Sequence, residues 1–209
     1  MWNTISPQWQ QAFLLGWESF RQGSIPIGAV IADENGSIIS YGRNRVCENS
    51  QPNSKIAHAE VEAINTLDLK RYPDLKRYTL YACMEPCPMC MGTAVMSNLR
   101  RLKIAAHDGY CGAVHYCNDD PYIASKDIQA EFEGGLLETV QLVMQTYFEL
   151  RMQGASNAVV DSFRRSSPVA VAIAERMYEE RYLDKCAENG TAFSEIFNTI
   201  AESYKKAVD

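Results

Sequence analysis

Apolar residues recur at threes and fours between positions 8 and 22, at Trp9, Phe13, Leu14, Trp17 and Phe20, and that spacing predicts a helix ended by Gly23. The period then changes. Ile25 to Ala32 is a β-branched run too short for a comfortable helix, Asp33-Glu34-Asn35-Gly36 has turn chemistry, and Ser37 to Tyr41 reads as a returning strand. The Asn35-Gly36 pair predicts that these two strands are antiparallel neighbours. Asn44 to Ile56 is polar, contains Pro52, and reads as a loop.

Further on, Ala57 to Leu69 has helical composition, Tyr78 to Cys83 reads as a strand, Pro88 to Asn98 as a helix and Arg101 to Ala106 as a strand. Alternation of this kind predicts a layered α/β domain whose later strands run parallel. His107 to Lys126 has no clear period, and loops of that length are usually functional. Ile128 to Phe132 suits a short edge strand. Leu136 to Met152 suits a helix that buries Leu136, Val140, Val143, Met144, Tyr147 and Phe148. Beyond Gly154, Pro168 to Cys186 reads as one helix opened by Ser167, and Thr191 opens an amphipathic helix with a Phe193, Ile196, Phe197, Ile200 and Tyr204 stripe. The expected division is 1–152 for the α/β domain and 153–209 for a helical extension.

Composition narrows the class. The 209 residues are 46% hydrophobic and 22% charged, ordinary for a globular chain. No secretory signal opens the sequence, no apolar run approaches the roughly 18 residues of a membrane span, and the cysteines number seven, an odd count. The expectation is a cytoplasmic protein with reduced thiols and no membrane partner. The net charge is −6, and residues 1–152 hold 13 basic against 17 acidic residues. That balance disfavours a dedicated binder of phosphate backbones.

Two short strings carry chemistry: His58-Ala59-Glu60 and Pro86-Cys87-Pro88-Met89-Cys90, each placed at a helix start. Cys87 and Cys90 are three apart and share a helix face. The helix N-terminus, with Pro88 in its first turn, favours thiolate, the form that binds metal. Alone, a CxxC is a redox pair, half of a structural zinc site or coincidence. Joined to His58, it makes three ligands with one tetrahedral position open, the arrangement of catalytic rather than structural zinc. Glu60 is then free to serve as general base and acid. His-x-Glu followed by Pro-Cys-x-x-Cys is the zinc deaminase signature.

On these residues the chain resembles the cytidine deaminase superfamily, within the branch of bacterial tRNA adenosine deaminases and related nucleobase deaminases. The likeness extends to Pro26-Ile27-Gly28-Ala29-Val30, Gly42-Arg43-Asn44-Arg45, Leu80 to Cys90, Ser97 to Arg101 and the helix ending at Tyr147-Phe148-Glu149-Leu150-Arg151. It covers roughly residues 8–152. The resemblance implies a three-layer α-β-α sandwich around a five-stranded mixed sheet, zinc held by His58, Cys87 and Cys90, and Glu60 as proton shuttle. It also implies substrate contacts from Asn44 and Asp108, release of ammonia, and a homodimer. Three departures stand out: Asn53-Ser54-Lys55-Ile56-Ala57 replaces the usual residues before the histidine, Tyr110 stands where the tRNA enzymes favour Lys, and residues 153–209 are added.

His107 reads as a packed or surface residue, and His115 as a candidate for the pocket. Tyr110, Tyr116 and Tyr122 suit base stacking or packing. Cys47, Cys83, Cys111, Cys117 and Cys186 read as reduced structural thiols. The basic clusters Lys70-Arg71, Lys76-Arg77 and Arg100-Arg101-Lys103 read as solvated faces or an RNA-binding rim. The acidic balance favours a free nucleobase or nucleoside as substrate, with adenosine in a tRNA anticodon loop as the alternative and a non-catalytic zinc protein as a third reading.

Overall fold

The computed structural model describes residues 1–49, 52–153 and 157–208. Helix α1 (Pro7–Arg21) is followed by strands β1 (Gly28–Ala32) and β2 (Ile38–Arg43), helix α2 (Ala59–Asn65), strand β3 (Thr79–Met84), helix α3 (Pro88–Met96) and strand β4 (Arg101–Ala106). Two single-turn helices, α4 (Tyr116–Asp119) and α5 (Pro121–Ala124), lie in the segment expected to be loop, before strand β5 (Gln129–Phe132). Helix α6 (Gly135–Gln153) closes the α/β part. Then come α7 (Ala158–Ser166), α8 (Pro168–Glu179), α9 (Tyr182–Asn189) and α10 (Phe193–Val208). The expected loop at 44–56 is described except for Ser50 and Gln51.

The sheet order is β2-β1-β3-β4-β5, antiparallel at β1–β2 and β1–β3 and parallel from β3 to β5. The hairpin forms where Asn35-Gly36 placed it: Asp33 Oδ1 accepts from the backbone N–H of Asn35 and Ser37, and Gly36 takes φ +81°. Side chains alternate across the sheet. Ala29, Ile31, Leu80, Leu102 and Ile104 pack under α2 and α3. Val30, Cys83 and Ala105 face the other core, beneath α1 and α6. The result is the three-layer sandwich around a five-stranded mixed sheet.

The C-terminal helices do not hang off this sandwich. Phe163, Ala174, Leu183, Phe193 and Phe197 belong to the same apolar core as Phe13, Trp17, Val143 and Tyr147. Trp2 packs edge-on against Phe193 and Phe197, with ring centroids 5.5 and 5.3 Å apart. Tyr147 on α6 donates its hydroxyl to Asp184 on α9 at 2.9 Å.

Two expectations for this region are corrected. The single helix expected over Pro168–Cys186 is broken between α8 and α9 by Arg181, at φ 53° in the left-handed region. Helix α7, which the sequence reading did not foresee, is capped by Asn157, whose side chain accepts from Val160 N at 2.8 Å.

Candidate active site

The site is assembled at the start of two helices. His58 is the N-cap of α2 and Cys87 the N-cap of α3, with Pro88 in the first turn of α3. Glycine at position 42 permits the placement of α2, because a Cβ there would strike the Ala59 carbonyl and the Ala63 amide. Strand β3 delivers Cys87 from the sheet side, through Glu85 and Pro86.

Three donor atoms converge. His58 Nδ1 lies 3.7 Å from Cys87 Sγ and 3.5 Å from Cys90 Sγ, and the two sulfurs are 3.6 Å apart. A tetrahedral ion with zinc–nitrogen and zinc–sulfur bonds would separate these atoms by roughly 3.5–3.8 Å. The donor set therefore fits zinc. Among the described residues this is the one such cluster of His, Cys and acidic side chains. The hydrogen bond shared with Cys90, helped by His58, pushes the Cys87 thiol down to about 4, and the same contact raises the Cys90 thiol. The hydrogen bond with Cys87 raises His58.

Glu60, one residue into α2, is buried at the floor of a cavity of about 200 Å³. Burial pushes its carboxyl above the usual carboxylate range. Asn44, Glu85, Asp108, Tyr110, Cys111 and Gln145 share the lining with His58 and Cys87. Asn44 is immobilised on one side: its Oδ1 accepts from Ser24 Oγ at 2.9 Å and from Val46 N at 3.0 Å. Its Nδ2 is the group left for the cavity.

Asp108 lies in the lining, but its carboxylate is used by its own loop. Oδ1 accepts from Tyr110 N at 2.8 Å and Cys111 N at 3.1 Å, and Oδ2 from Cys111 Sγ at 3.2 Å. Cys111, expected as a structural thiol, lines the cavity instead. His107 stacks on Phe132 with ring centroids 3.6 Å apart, and His115 packs on Tyr116. Neither His107 nor His115 lines the cavity, and of the three loop tyrosines only Tyr110 does.

Beyond the apolar Ile25, Ile27 and Met84, five further lining residues were missed in the sequence. Glu85 accepts from Asp108 N at 3.2 Å and Val114 N at 3.1 Å, so it holds the whole loop over the pocket. Gln145 and Glu149 come from α6, and Val159 and Phe163 from α7. A signal existed for two of them: Gln141, Gln145 and Glu149 recur at intervals of four within an otherwise apolar helix.

Paired helix starts that present one imidazole and two thiols, with a buried carboxylate beside them, define a zinc-dependent hydrolytic deaminase. The chain belongs to the cytidine and deoxycytidylate deaminase family. The zinc-binding region of cytidine and deoxycytidylate deaminases matches residues 5–106. The chain is 33% identical over 146 residues to a tRNA-specific adenosine deaminase of Rickettsia felis, covering 67% of this chain and 97% of that one. It is 31% identical over 130 residues to a probable cytosine deaminase of Schizosaccharomyces pombe, covering 57% of this chain and 72% of that protein. A solved structure from work on A-to-I editing by tRNA:A34 deaminases superposes with TM-score 0.52 and 26% identity, over 63% of this chain and 94% of that one.

Proposed function

We propose that the chain hydrolyses the exocyclic amino group of a single nucleobase, free or as its nucleoside. His58, Cys87 and Cys90 hold the zinc, Glu60 moves the proton, Asn44 Nδ2 places the base, and Asp108 acts by shaping the loop at the rim. When bound, the metal lowers the pKa of a coordinated water toward 7. Glu60 accepts a proton from the attacking water and hands it to the departing amino group. One C–O bond forms, the C–N bond breaks, and ammonia leaves. The raised carboxyl of Glu60 suits both halves of that transfer.

The observation that carries the small-substrate part is the wall made by α7. Val159 and Phe163 line the same cavity as His58 and Glu60, and Gly109 of the rim loop packs against Ser162 of α7. Residues 153–209 on this reading are an extension that completes the pocket, sharing its core with the α/β part.

A second reading, deamination of adenosine within a tRNA, is supported by the relatives. Both the Rickettsia felis protein and the solved tRNA:A34 deaminase act on tRNA by name, and the comparisons weigh more for tRNA than for a free base. The net charge, on which the small-substrate expectation rested, does not separate the two. Lys76, Arg100, Arg101 and Lys126 line one surface groove, and among the described residues none of them makes an ion pair. A locally basic surface thus coexists with the overall −6.

One experiment divides the readings. Ammonia release is measured on cytosine, adenine, guanine and their nucleosides, beside inosine formation in an anticodon stem-loop. Turnover of a small molecule supports the first reading; inosine in the stem-loop with a flat small-molecule panel replaces it with the second.

A further inference from the structure

At one end of the sheet the chain gathers positive charge that no carboxylate offsets. Lys76 before β3, Arg100 and Arg101 at the start of β4, and Lys126 before β5 line a single groove of about 530 Å³. Among the described residues none of the four makes an ion pair, whereas nearby Arg77 is paired with Glu34 at 2.7 Å and Lys103 with Glu131 at 3.2 Å. Asp127 is the acidic member of the lining, and its Oδ1 accepts from Gln129 Nε2 at 3.0 Å.

The cations are held as well as gathered. Arg100 donates to its neighbouring Leu99 carbonyl and to Asn98 Oδ1, both at 2.9 Å. Asn98 takes φ 68° and turns the chain from α3 into β4. Lys126 Nζ lies over the Tyr122 ring, 4.2 Å from its centroid. The lining is polar throughout, so the groove suits an anion rather than the apolar face of a base. Guanidinium forks match phosphate oxygens, and a phosphate chain relieves the repulsion among like charges while it releases counterions.

Position decides which phosphates. The groove lies at the N-terminal ends of β3, β4 and β5, whereas Cys87 and Asp108 follow the C-terminal ends of β3 and β4. Six residues of β4 at roughly 3.3 Å each separate the two places by roughly 20 Å. The phosphate of a single nucleotide seated in the cavity does not reach that far. A duplex stem, at roughly 3.4 Å per stacked pair, covers it in about six pairs.

We propose that this groove docks the phosphate backbone of a structured RNA, with Lys76, Arg100, Arg101 and Lys126 as its contacts. The inference extends the tRNA reading of the cavity, from which it takes the class of nucleic acid, and names where the RNA is held away from the reacting base.

The test measures binding of a fluorescently labelled anticodon stem-loop to the full-length, zinc-loaded protein by anisotropy, over a series of salt concentrations. One variant combines Lys76→Ala with Arg101→Ala, both exposed positions. A control combines Lys185→Ala with Lys205→Ala, which removes two exposed cations from α9 and α10. The groove variant is expected to bind about 10–100-fold more weakly at about 0.1 M salt, and to lose about two from the slope of log K against log salt. The control is expected to bind as the wild type does, with zinc content and melting temperature the same in all three. No binding by the wild type, or equal binding by all three proteins, would overturn the inference. Equal losses in both variants would overturn it too, since they report total charge alone. Adenosine monophosphate and inorganic phosphate serve as competitors, and displacement of the stem-loop by either at matched phosphate concentration would overturn it in favour of a small-anion site. Inosine formation separates the inference from the tRNA reading. Inosine at equal KM from wild type and groove variant keeps that reading and removes the groove; groove-dependent binding without inosine keeps the groove and removes that reading.

Discussion

Gly109 stands directly against Ser162: a Cβ on Gly109 would lie 2.7 Å from Ser162 Oγ. That contact joins the rim loop, which carries Asp108 and Tyr110, to the helix that supplies Val159 and Phe163. Gly112 secures the other side of the loop, since a Cβ there would collide with the Glu85 carboxylate. The α/β part and the C-terminal helices thus meet at the Gly109–Ser162 approach.

Gly109→Val forces a branched side chain into that contact. The cost is about 1–3 kcal/mol of packing strain, and it falls on the seating of α7 rather than on the zinc ligands. The expected result is a raised KM, a lowered melting temperature and unchanged zinc content. Adding Ser162→Ala is expected to recover part of both losses; no recovery in the double variant would show that the contact does not couple loop and helix.

Glu60→Gln keeps size and burial but removes the proton acceptor. A positioned general base contributes roughly 10²–10⁴-fold, so kcat should fall by that factor with zinc content unchanged. A variant that retains most of its kcat would displace Glu60 from the proposed role.

The three donors predict one zinc per chain, read by elemental analysis. His58→Ala and Cys87→Ser should each lower the metal content and abolish ammonia release. Dialysis against a chelator should do the same to the wild type, with zinc restoring activity. Full activity in metal-free protein would overturn the assignment of these residues.

Tyr147 and Asp184 predict an alkaline weakness. Burial pushes the Tyr147 phenol above its ordinary 10, and the neighbouring Asp184 carboxylate acts in the same direction. A group whose folded-state pKa is raised stabilises fully below the unfolded value and loses that contribution as pH climbs through the folded one. Urea unfolding should therefore show stability falling above about pH 10. Tyr147→Phe is expected to flatten that limb and to cost about 0.5–1.5 kcal/mol at neutral pH. An identical alkaline slope in the two proteins would refute the link.

How much of this was legible beforehand depended on range. Strand β4 matched its expected bounds, α1 and α6 came within a residue, and the hairpin formed at Asn35-Gly36 with its first strand starting three residues late, because period and turn chemistry are local. Helix α2 ran shorter than its pattern, ending at Asn65 rather than Leu69. The composition around Pro168–Cys186 favoured one helix. The tertiary structure broke it at Arg181, and α9 then places Asp184 against Tyr147 on α6.

The sequence by itself determined the candidate site: His58, Glu60, Cys87 and Cys90 were readable because metal ligation demands particular residue types at particular spacings, and a helix start supplies the geometry. It also determined the alternation that makes the sheet. Only the tertiary structure decided the shape of the cavity. Val159 and Phe163 lie about a hundred residues from His58, and Gln145 and Glu149 look like any polar residues until α6 brings them into the same lining. Pocket walls are contacts between distant segments, set by how a shared core packs, and no local pattern in the chain encodes them.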